Sequence, residues 1–135
     1  MKKILIIGSI HNHGIDLLKE NKNFEFEVVD NTDAEFLKNK IVGFDAVSVR
    51  TSKISKEIIN SAKNLKIISR HGVGYDNIDL SAIKDNNITL AITATANAQA
   101  VAEHVLFMLF NIAKRNNMYN LSLIHISEPT RPLYI

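Results

Sequence analysis

Cysteine is absent from the 135-residue chain, so disulfide bonds and thiol chemistry are excluded. A marked excess of charge of either sign is also absent: sixteen Lys and Arg face fourteen Asp and Glu, for a net charge of +2. The basic residues are scattered, without a block of five or six, which argues against binding to nucleic acid or to acidic membranes. The lack of cysteine is compatible with a reducing cytosol.

Long hydrophobic runs are missing as well, since no stretch approaches the ~18 apolar residues of a membrane span. The apolar segment Ile4–Ile7 follows two lysines, as in a signal peptide, but it ends at Gly8, short of the ~7–15 residues that such a segment needs. We therefore expect a first buried strand there, and a cytoplasmic protein. The length corresponds to one domain at ~100–200 residues per domain, and an apolar content of 46% is enough for a packed core.

Short apolar runs alternate with helical stretches along the chain. The apolar runs predict five strands, at Lys3–Gly8, Phe24–Val29, Asp45–Val49, Lys66–Ser69 and Ile88–Ile92. The remaining stretches predict five helices, at Gly14–Asn21, Asp33–Lys40, Lys56–Ala62, Leu80–Asp85 and Ala98–Lys114. Thr32 and Glu35 have the spacing of a capping box, and Ser55 is a candidate N-cap. This alternation predicts an α/β fold with a doubly wound parallel sheet and right-handed crossovers.

The carboxyl ends of parallel strands share one rim of the sheet, where open α/β sheets bind ligands. Four loops are expected to meet there: Ser9–His13, Arg50–Lys53, His71–Asp76 and Thr93–Asn97. Gly72 and Gly74 in the third loop can bring backbone N–H groups close to an anion, because no Cβ stands in the way. Arg50 ends the neighbouring strand, and its planar guanidinium suits a carboxylate or a phosphate.

Two segments carry the most specific motifs of the chain: Arg70–Asp79, which reads Arg-His-Gly-Val-Gly-Tyr-Asp-Asn-Ile-Asp, and Thr93–His104. Both segments resemble the NAD-dependent D-isomer-specific 2-hydroxyacid dehydrogenases. In the second segment, Ala94 and Thr95 stand where that family commonly has Pro and Gly. The resemblance covers roughly residues 3–120 and implies a flavodoxin-like sheet of five strands in the order 2-1-3-4-5, followed by a long hinge helix.

The resemblance implies a substrate site as well. Its six candidate residues in this chain are Arg50, Thr51, Gly72, Val73, Gly74 and Asn97. In the family, the backbone amides of the glycine loop hold the substrate carboxylate, and the arginine faces the substrate cleft. Asn97 would face the cleft while capping the long helix, and Val73 also matches a position near the nicotinamide.

The family's organisation implies that this chain is a fragment of an enzyme. Residues 1–96 would form an incomplete substrate-binding domain, and residues 97–120 a hinge helix leading to a missing NAD-binding Rossmann domain. The family's catalytic Arg, Glu and His, and most of the NAD or NADP site, would lie in the missing part, so no catalytic residue is assigned here. The full-length enzyme would be a homodimer that interconverts a D-2-hydroxy acid and its 2-keto acid, whereas the chain alone would be inactive.

The final segment, residues 121–135, is predicted to be a non-native tail. From Leu121 to Arg131 it resembles the translation of a transposase adapter used in sequencing libraries. Continuing the same reading frame also accounts for Pro132 and Ile135. Foreign segments of this kind carry no information about the fold.

Other readings of the sequence have less support. A stand-alone flavodoxin-like module that binds a small carboxylate without catalysis is the main alternative. A response-regulator receiver needs acidic residues after its first and third strands, where Ser9–His11 and Arg50 stand. Asp76 and Asp79 could act as acids, but a turn or a helix N-cap accounts for both residues.

Two further motifs have the wrong spacing for the sites they suggest. His11 and His13 could bind a metal, but no third ligand is signalled nearby, so no metal site is predicted. Gly8 and Gly14 are wrongly spaced for a dinucleotide fingerprint, so this sheet is not expected to be the main cofactor site.

Overall fold

The computed structural model describes residues 1–114, in which strands and helices alternate. The strands in this range are β1 (Lys2–Ile7), β2 (Phe24–Val29), β3 (Ala46–Val49), β4 (Ile67–Arg70) and β5 (Thr89–Ile92). The helices are α1 (Asn12–Glu20), α2 (Ala34–Lys40), α3 (Lys56–Ser61), α4 (Leu80–Asp85) and α5 (Ala98–Ala113). All ten elements therefore lie within two residues of their predicted boundaries.

The strands form one parallel sheet in the order β2-β1-β3-β4-β5, which confirms the predicted order and fold class. In β1, Leu5 and Ile6 are both 0% exposed although they point to opposite faces. A strand buried on both faces needs apolar residues in succession, which explains the near-continuous run that begins the chain.

The main hydrophobic core joins one face of the sheet to helices α2, α3 and α4. Leu5 of β1 and Val47 of β3 belong to it, together with Leu37, Ile58 and Ile83 of the three helices. Val49, the last residue of β3, and Ile68, the second residue of β4, are 1% and 0% exposed. The two strands that lead to the candidate site residues are therefore anchored in the core.

The cap of α2 differs from the predicted one. Asp33, not Thr32, is the N-cap residue, and its Oδ2 accepts hydrogen bonds from the N–H groups of Glu35 and Phe36, both at 3.1 Å. The capping box of Thr32 and Glu35 is therefore wrong, because one carboxylate beside the first turn already satisfies two backbone donors. Ser55 does stand at the N-cap of α3, but its side chain makes no capping hydrogen bond.

We expect Asp33→Ala to lower the free energy of unfolding by about 1 kcal/mol, because it leaves two helix N–H groups without their side-chain acceptor. Thr32→Ala is the matched control and should change that free energy by less than about 0.5 kcal/mol. Urea denaturation followed by circular dichroism measures both. A larger loss of stability in the Thr32 variant would contradict the Asp33 cap and favour the predicted capping box of Thr32 and Glu35.

The chain divides into two compact units at Ala94 and Thr95. The first unit holds the sheet with α1 to α4, and the second contains α5. Most large apolar side chains of α5 are at least half exposed, among them Phe107 at 60% and Phe110 at 64%. Among the described residues, no helix is long and apolar enough to cross a membrane. The predicted non-native tail lies outside the described residues, and the predicted domain boundaries stay predictions.

Candidate functional site

The carboxyl ends of β3, β4 and β5 are level with one another. Val49, the last residue of β3, pairs with Arg70, which in turn pairs with Ile92 at the end of β5. The loops that follow these strands therefore leave the sheet side by side. The structure thus brings the predicted Arg50 loop and the predicted glycine loop together at one rim of the first unit.

The loop after β3 begins with Arg50 and Thr51, which are both exposed. Neither residue makes a hydrogen bond or an ion pair with any part of the chain between residues 1 and 114. The Arg50 guanidinium is therefore a solvated cation at the rim, which is the state required of a group that meets a ligand anion.

Asn77 joins this loop to the glycine loop. Its Nδ2 donates to the carbonyl of Ser52 at 2.7 Å, and its own carbonyl accepts from the N–H of Ile54 at 2.8 Å. An isolated parallel bridge between Ile54 and Ile78 continues the connection. The sequence pattern alone assigns Asn77 no role, since an asparagine within a turn-rich segment equally fits a local turn.

The glycine loop contributes fewer available amides than predicted. The N–H of Gly72 donates to the carbonyl of Arg70 at 3.0 Å, so this amide is already used within the chain. The N–H groups of Val73 and Gly74 make no hydrogen bond with the described part of the chain. The expected set of three amides is therefore reduced to two adjacent ones.

The geometry of the peptide bond indicates where the Val73 N–H points. The carbonyl of Gly72 accepts from the N–H of Thr93 at 3.1 Å. The peptide between Gly72 and Val73 is trans, so its N–H points away from the side on which its carbonyl bonds. The Val73 N–H is consequently directed away from Thr93.

Acidic residues border the same loop. A Cβ built on Gly74 would lie 3.6 Å from Asp76 Oδ2, so a carboxylate stands beside the loop and opposes the approach of an anion. Asp79 caps α4 by accepting from the N–H of Ala82 at 2.9 Å, so of the two structural roles expected for it, a turn or an N-cap, the structure shows the N-cap. The hydrogen bonds from the Ser81 hydroxyl and from the Ala82 N–H lower the pKa of Asp79 below its usual value.

The histidines do not form a site in the described residues. His11 Nδ1 accepts from the N–H of His13 at 3.2 Å and so caps α1. No group of three or more His, Cys, Asp or Glu placed to hold a metal ion occurs within residues 1–114. The side chain of His71 is exposed, and its residue contributes backbone hydrogen bonds only.

Asn97 belongs to the second unit, at the N-cap position of α5. Its carbonyl accepts from the N–H of Val101 at 3.0 Å, but its side chain makes no capping hydrogen bond. Its φ of −116° and ψ of 9° place the carboxamide poorly for the N-cap role that the sequence predicts. The side chain is exposed.

The first unit does not contain a dinucleotide-binding turn. Gly14 lies inside α1, where a Cβ would meet the side chain of Ile10 at 3.3 Å, and Gly8 precedes it by six residues. The loop between β1 and α1 therefore lacks the closely spaced glycines that let a pyrophosphate approach a helix N-terminus. The described residues therefore lack the glycine-rich turn expected of the main NAD-binding site.

One family model and several curated proteins match most of this chain. The family model described as "D-isomer specific 2-hydroxyacid dehydrogenase, catalytic domain" matches residues 4–128. A D-3-phosphoglycerate dehydrogenase of Archaeoglobus fulgidus is 34% identical over 114 residues, which cover 84% of this chain and 21% of that protein. A Staphylococcus epidermidis protein, whose name provisionally assigns it to the 2-hydroxyacid dehydrogenases, is 37% identical over 119 residues, 85% of this chain and 37% of its own length.

Solved structures share the fold. The cofactor (NAD+) bound 3-phosphoglycerate dehydrogenase of Entamoeba histolytica aligns with a TM-score of 0.69 at 30% identity, covering 82% of this chain and 38% of that one. The PH0520 protein of Pyrococcus horikoshii aligns with a TM-score of 0.75 at 28% identity, covering 98% and 39%. The chain thus spans well under half the length of these relatives.

Proposed function

Because the chain belongs to the D-isomer specific 2-hydroxyacid dehydrogenase family, we propose that its first unit binds the carboxylate of a small 2-hydroxy or 2-oxo acid. One observation carries this proposal: two adjacent backbone amides, those of Val73 and Gly74, have no partner in the described chain and lie in the loop next to Arg50. Two adjacent unpaired N–H donors and a guanidinium match the oxygens and the charge of a carboxylate.

The reaction would be completed by parts of a longer protein. The relatives are up to about five times as long as the matched region, which leaves room for a cofactor domain. We assign to that cofactor domain the binding of NAD or NADP and the residues that move the proton. The hydride transfer between a D-2-hydroxy acid and its 2-keto acid would take place there. Val73, whose side chain is 43% exposed, would contribute an apolar contact to the nicotinamide ring.

The apolar surface of α5 supports a homodimer of the longer protein. Val101, Leu106, Phe107 and Phe110 are 53–64% exposed, and an apolar surface of this extent marks an interaction site in a soluble protein. We propose that α5 packs against other parts of the enzyme or against a second subunit. We also propose that the enzyme acts in the cytoplasm. Asn97, at the N-cap position of α5, stays a proposed substrate contact of the longer protein, as the family resemblance implies.

A stand-alone carboxylate-binding module is less well supported. The relatives that match the same region are named as dehydrogenases, and none of the comparisons above is with an isolated binding domain. Both functions require the same carboxylate site, so a test of carboxylate binding bears on both of them.

We expect sodium pyruvate to shift the amide NMR signals of Val73 and Gly74 in the 15N-labelled 135-residue chain. The apparent Kd should lie near ~1 mM, about −4 kcal/mol, because the site would lack its other half. Pyruvamide, which has the same shape without the charge, should bind at least about tenfold more weakly, since it lacks charge-assisted hydrogen bonds. Equal responses to the two compounds, or shifts confined to other loops, would contradict carboxylate binding at this site.

A further inference from the structure

We infer that Arg70 is a positioning residue that holds the glycine loop in the conformation that exposes the Val73 and Gly74 amides. The inference rests on the proposed carboxylate site and extends it to a residue that does not itself meet the ligand. It also separates the roles of the two arginines at the rim: Arg50 supplies a solvated cation, whereas Arg70 acts through the backbone.

Arg70 binds both ends of a single peptide unit. Its Nη1 donates to the carbonyl of His71 at 2.9 Å, and its own carbonyl accepts from the N–H of Gly72 at 3.0 Å. The carbonyl of His71 and the N–H of Gly72 belong to the same planar peptide. The orientation of that peptide is therefore determined by one residue, which is itself fixed in β4 by its pairing with Val49 and Ile92.

The guanidinium of Arg70 occupies the space beside Gly72. A Cβ built on Gly72 would overlap Arg70 Nη1, and Gly72 has a φ of +145°, which side chains rarely adopt. The absence of a side chain at position 72 is thus what allows the guanidinium to lie against the loop backbone. Gly72 and Arg70 form a matched pair, one of which leaves the space that the other fills.

Shielding the Arg70 Nε from solvent is costly unless the arrangement has a use. Its Nε is shielded from solvent and has no hydrogen-bond partner within residues 1–114. A buried donor without a partner lowers stability, and such groups are concentrated where a structure serves something other than stability. Here the side chain gives up one hydrogen bond and places Nη1 on the His71 carbonyl.

The consequence reaches the available Val73 amide. Arg70 fixes the peptide between His71 and Gly72, and the Thr93 N–H fixes the next peptide through the Gly72 carbonyl. Both peptide planes that precede the Val73 Cα are therefore set before a ligand arrives. A donor group held in its binding orientation does not have to be ordered on binding, which raises affinity.

The experiment compares Arg70→Met, Arg70→Lys and Lys63→Met in the full 135-residue chain. Lys63 is an exposed cation of the same unit without an ion pair in the described part, so its variant removes the same charge away from the loop. Two quantities are measured by NMR: the hydrogen exchange rate of the Gly72 amide without ligand, and the pyruvate affinity from the Val73 and Gly74 signals.

In the Met variant we expect the Gly72 amide to exchange about tenfold faster and pyruvate to bind about tenfold more weakly, as for coupled groups in one network. The Lys variant should show intermediate values, because an ammonium can donate to the His71 carbonyl but lacks the planar fork. The Lys63 variant should match the original chain in both measurements.

The results separate the two claims. If Arg70→Met keeps the original Gly72 exchange rate and its pyruvate affinity within about twofold, Arg70 has no positioning role. If the original chain does not respond to pyruvate while Gly72 exchange still depends on Arg70, the proposed function fails and the loop assignment stands. Should the Met variant not fold, the Lys variant decides, and an exchange rate equal to that of the original chain overturns the inference.

Discussion

Replacing Gly72 with alanine is expected to lower the free energy of unfolding by about 1–3 kcal/mol and to abolish measurable pyruvate binding, because a φ of +145° strains any residue with a Cβ. The same Cβ overlaps the far end of the flexible Arg70 side chain, whose displacement costs little by itself but breaks its hydrogen bond to the His71 carbonyl. Relief of the backbone strain moves the loop and redirects the amides that follow it. Chemical denaturation and the pyruvate titration measure the two effects.

Gly74→Ala is the matched control in the same loop. A Cβ there meets no atom closer than Asp76 Oδ2 at 3.6 Å, an ordinary contact, and the φ of Gly74 is not in the positive region. We expect this variant to change stability by less than about 0.5 kcal/mol. Equal losses at positions 72 and 74 would mean that the loop is merely intolerant of side chains, and not that Gly72 accommodates Arg70.

Replacing Arg50 with methionine is expected to weaken pyruvate binding by about tenfold to a hundredfold, with little change in stability. The guanidinium makes no hydrogen bond or ion pair with residues 1–114, so its removal leaves no unsatisfied partner in that part of the chain. A hydrogen bond to a charged group contributes about 1.5–3 kcal/mol, which corresponds to that range of affinity. The Arg50 cation would also offset the negative charge of Asp76, whose carboxylate stands beside the glycine loop.

Lys53→Met tests whether the Arg50 effect is local. Lys53 lies in the same loop and is also exposed, so the variant changes the charge equally. An exposed charge that does not contact the ligand contributes only a solvent-screened attraction, and Lys53→Met should therefore reduce pyruvate affinity by no more than about twofold. A similar loss in both variants would assign the effect of Arg50 to general electrostatic attraction and would argue against direct contact.

The elements could be predicted because their cause is local. The run Ile4–Ile7 requires burial on both faces, and the helical stretches show the spacing of a face that packs on a sheet. Segments such as Phe24–Val29 and Leu80–Asp85 agree with the structure to the residue. The order of the strands came from the family resemblance and is confirmed by the observed pairing.

The caps could not be predicted as well, because several residues near a helix start carry suitable side chains. Asn31, Thr32 and Asp33 all have an oxygen that can cap, and only the path of the backbone decides which one reaches the first turn. Ser55 and Asn97 do stand at the predicted N-cap positions, but neither side chain makes a capping hydrogen bond.

The candidate site was likewise predictable in part from the sequence and in part not. The loops and the residue types that could meet a carboxylate follow from the sequence and the resemblance, including Arg50 and the glycine pair. The sequence could not show that the Gly72 amide is used by the Arg70 carbonyl, or that Asn77 connects the two loops through Ser52. These contacts join residues whose partners depend on the φ of one glycine and on the register of neighbouring strands.

The sequence by itself determined the α/β architecture, the loops at the carboxyl rim and the family, because apolar periodicity and short motifs are properties of adjacent residues. Only the tertiary structure decided which amides are available, which arginine is solvated and which glycine has a backbone conformation that would strain a side chain. The physical reason is that a hydrogen-bond donor is free or occupied according to what lies within about 3 Å of it, and that depends on how distant segments meet in space.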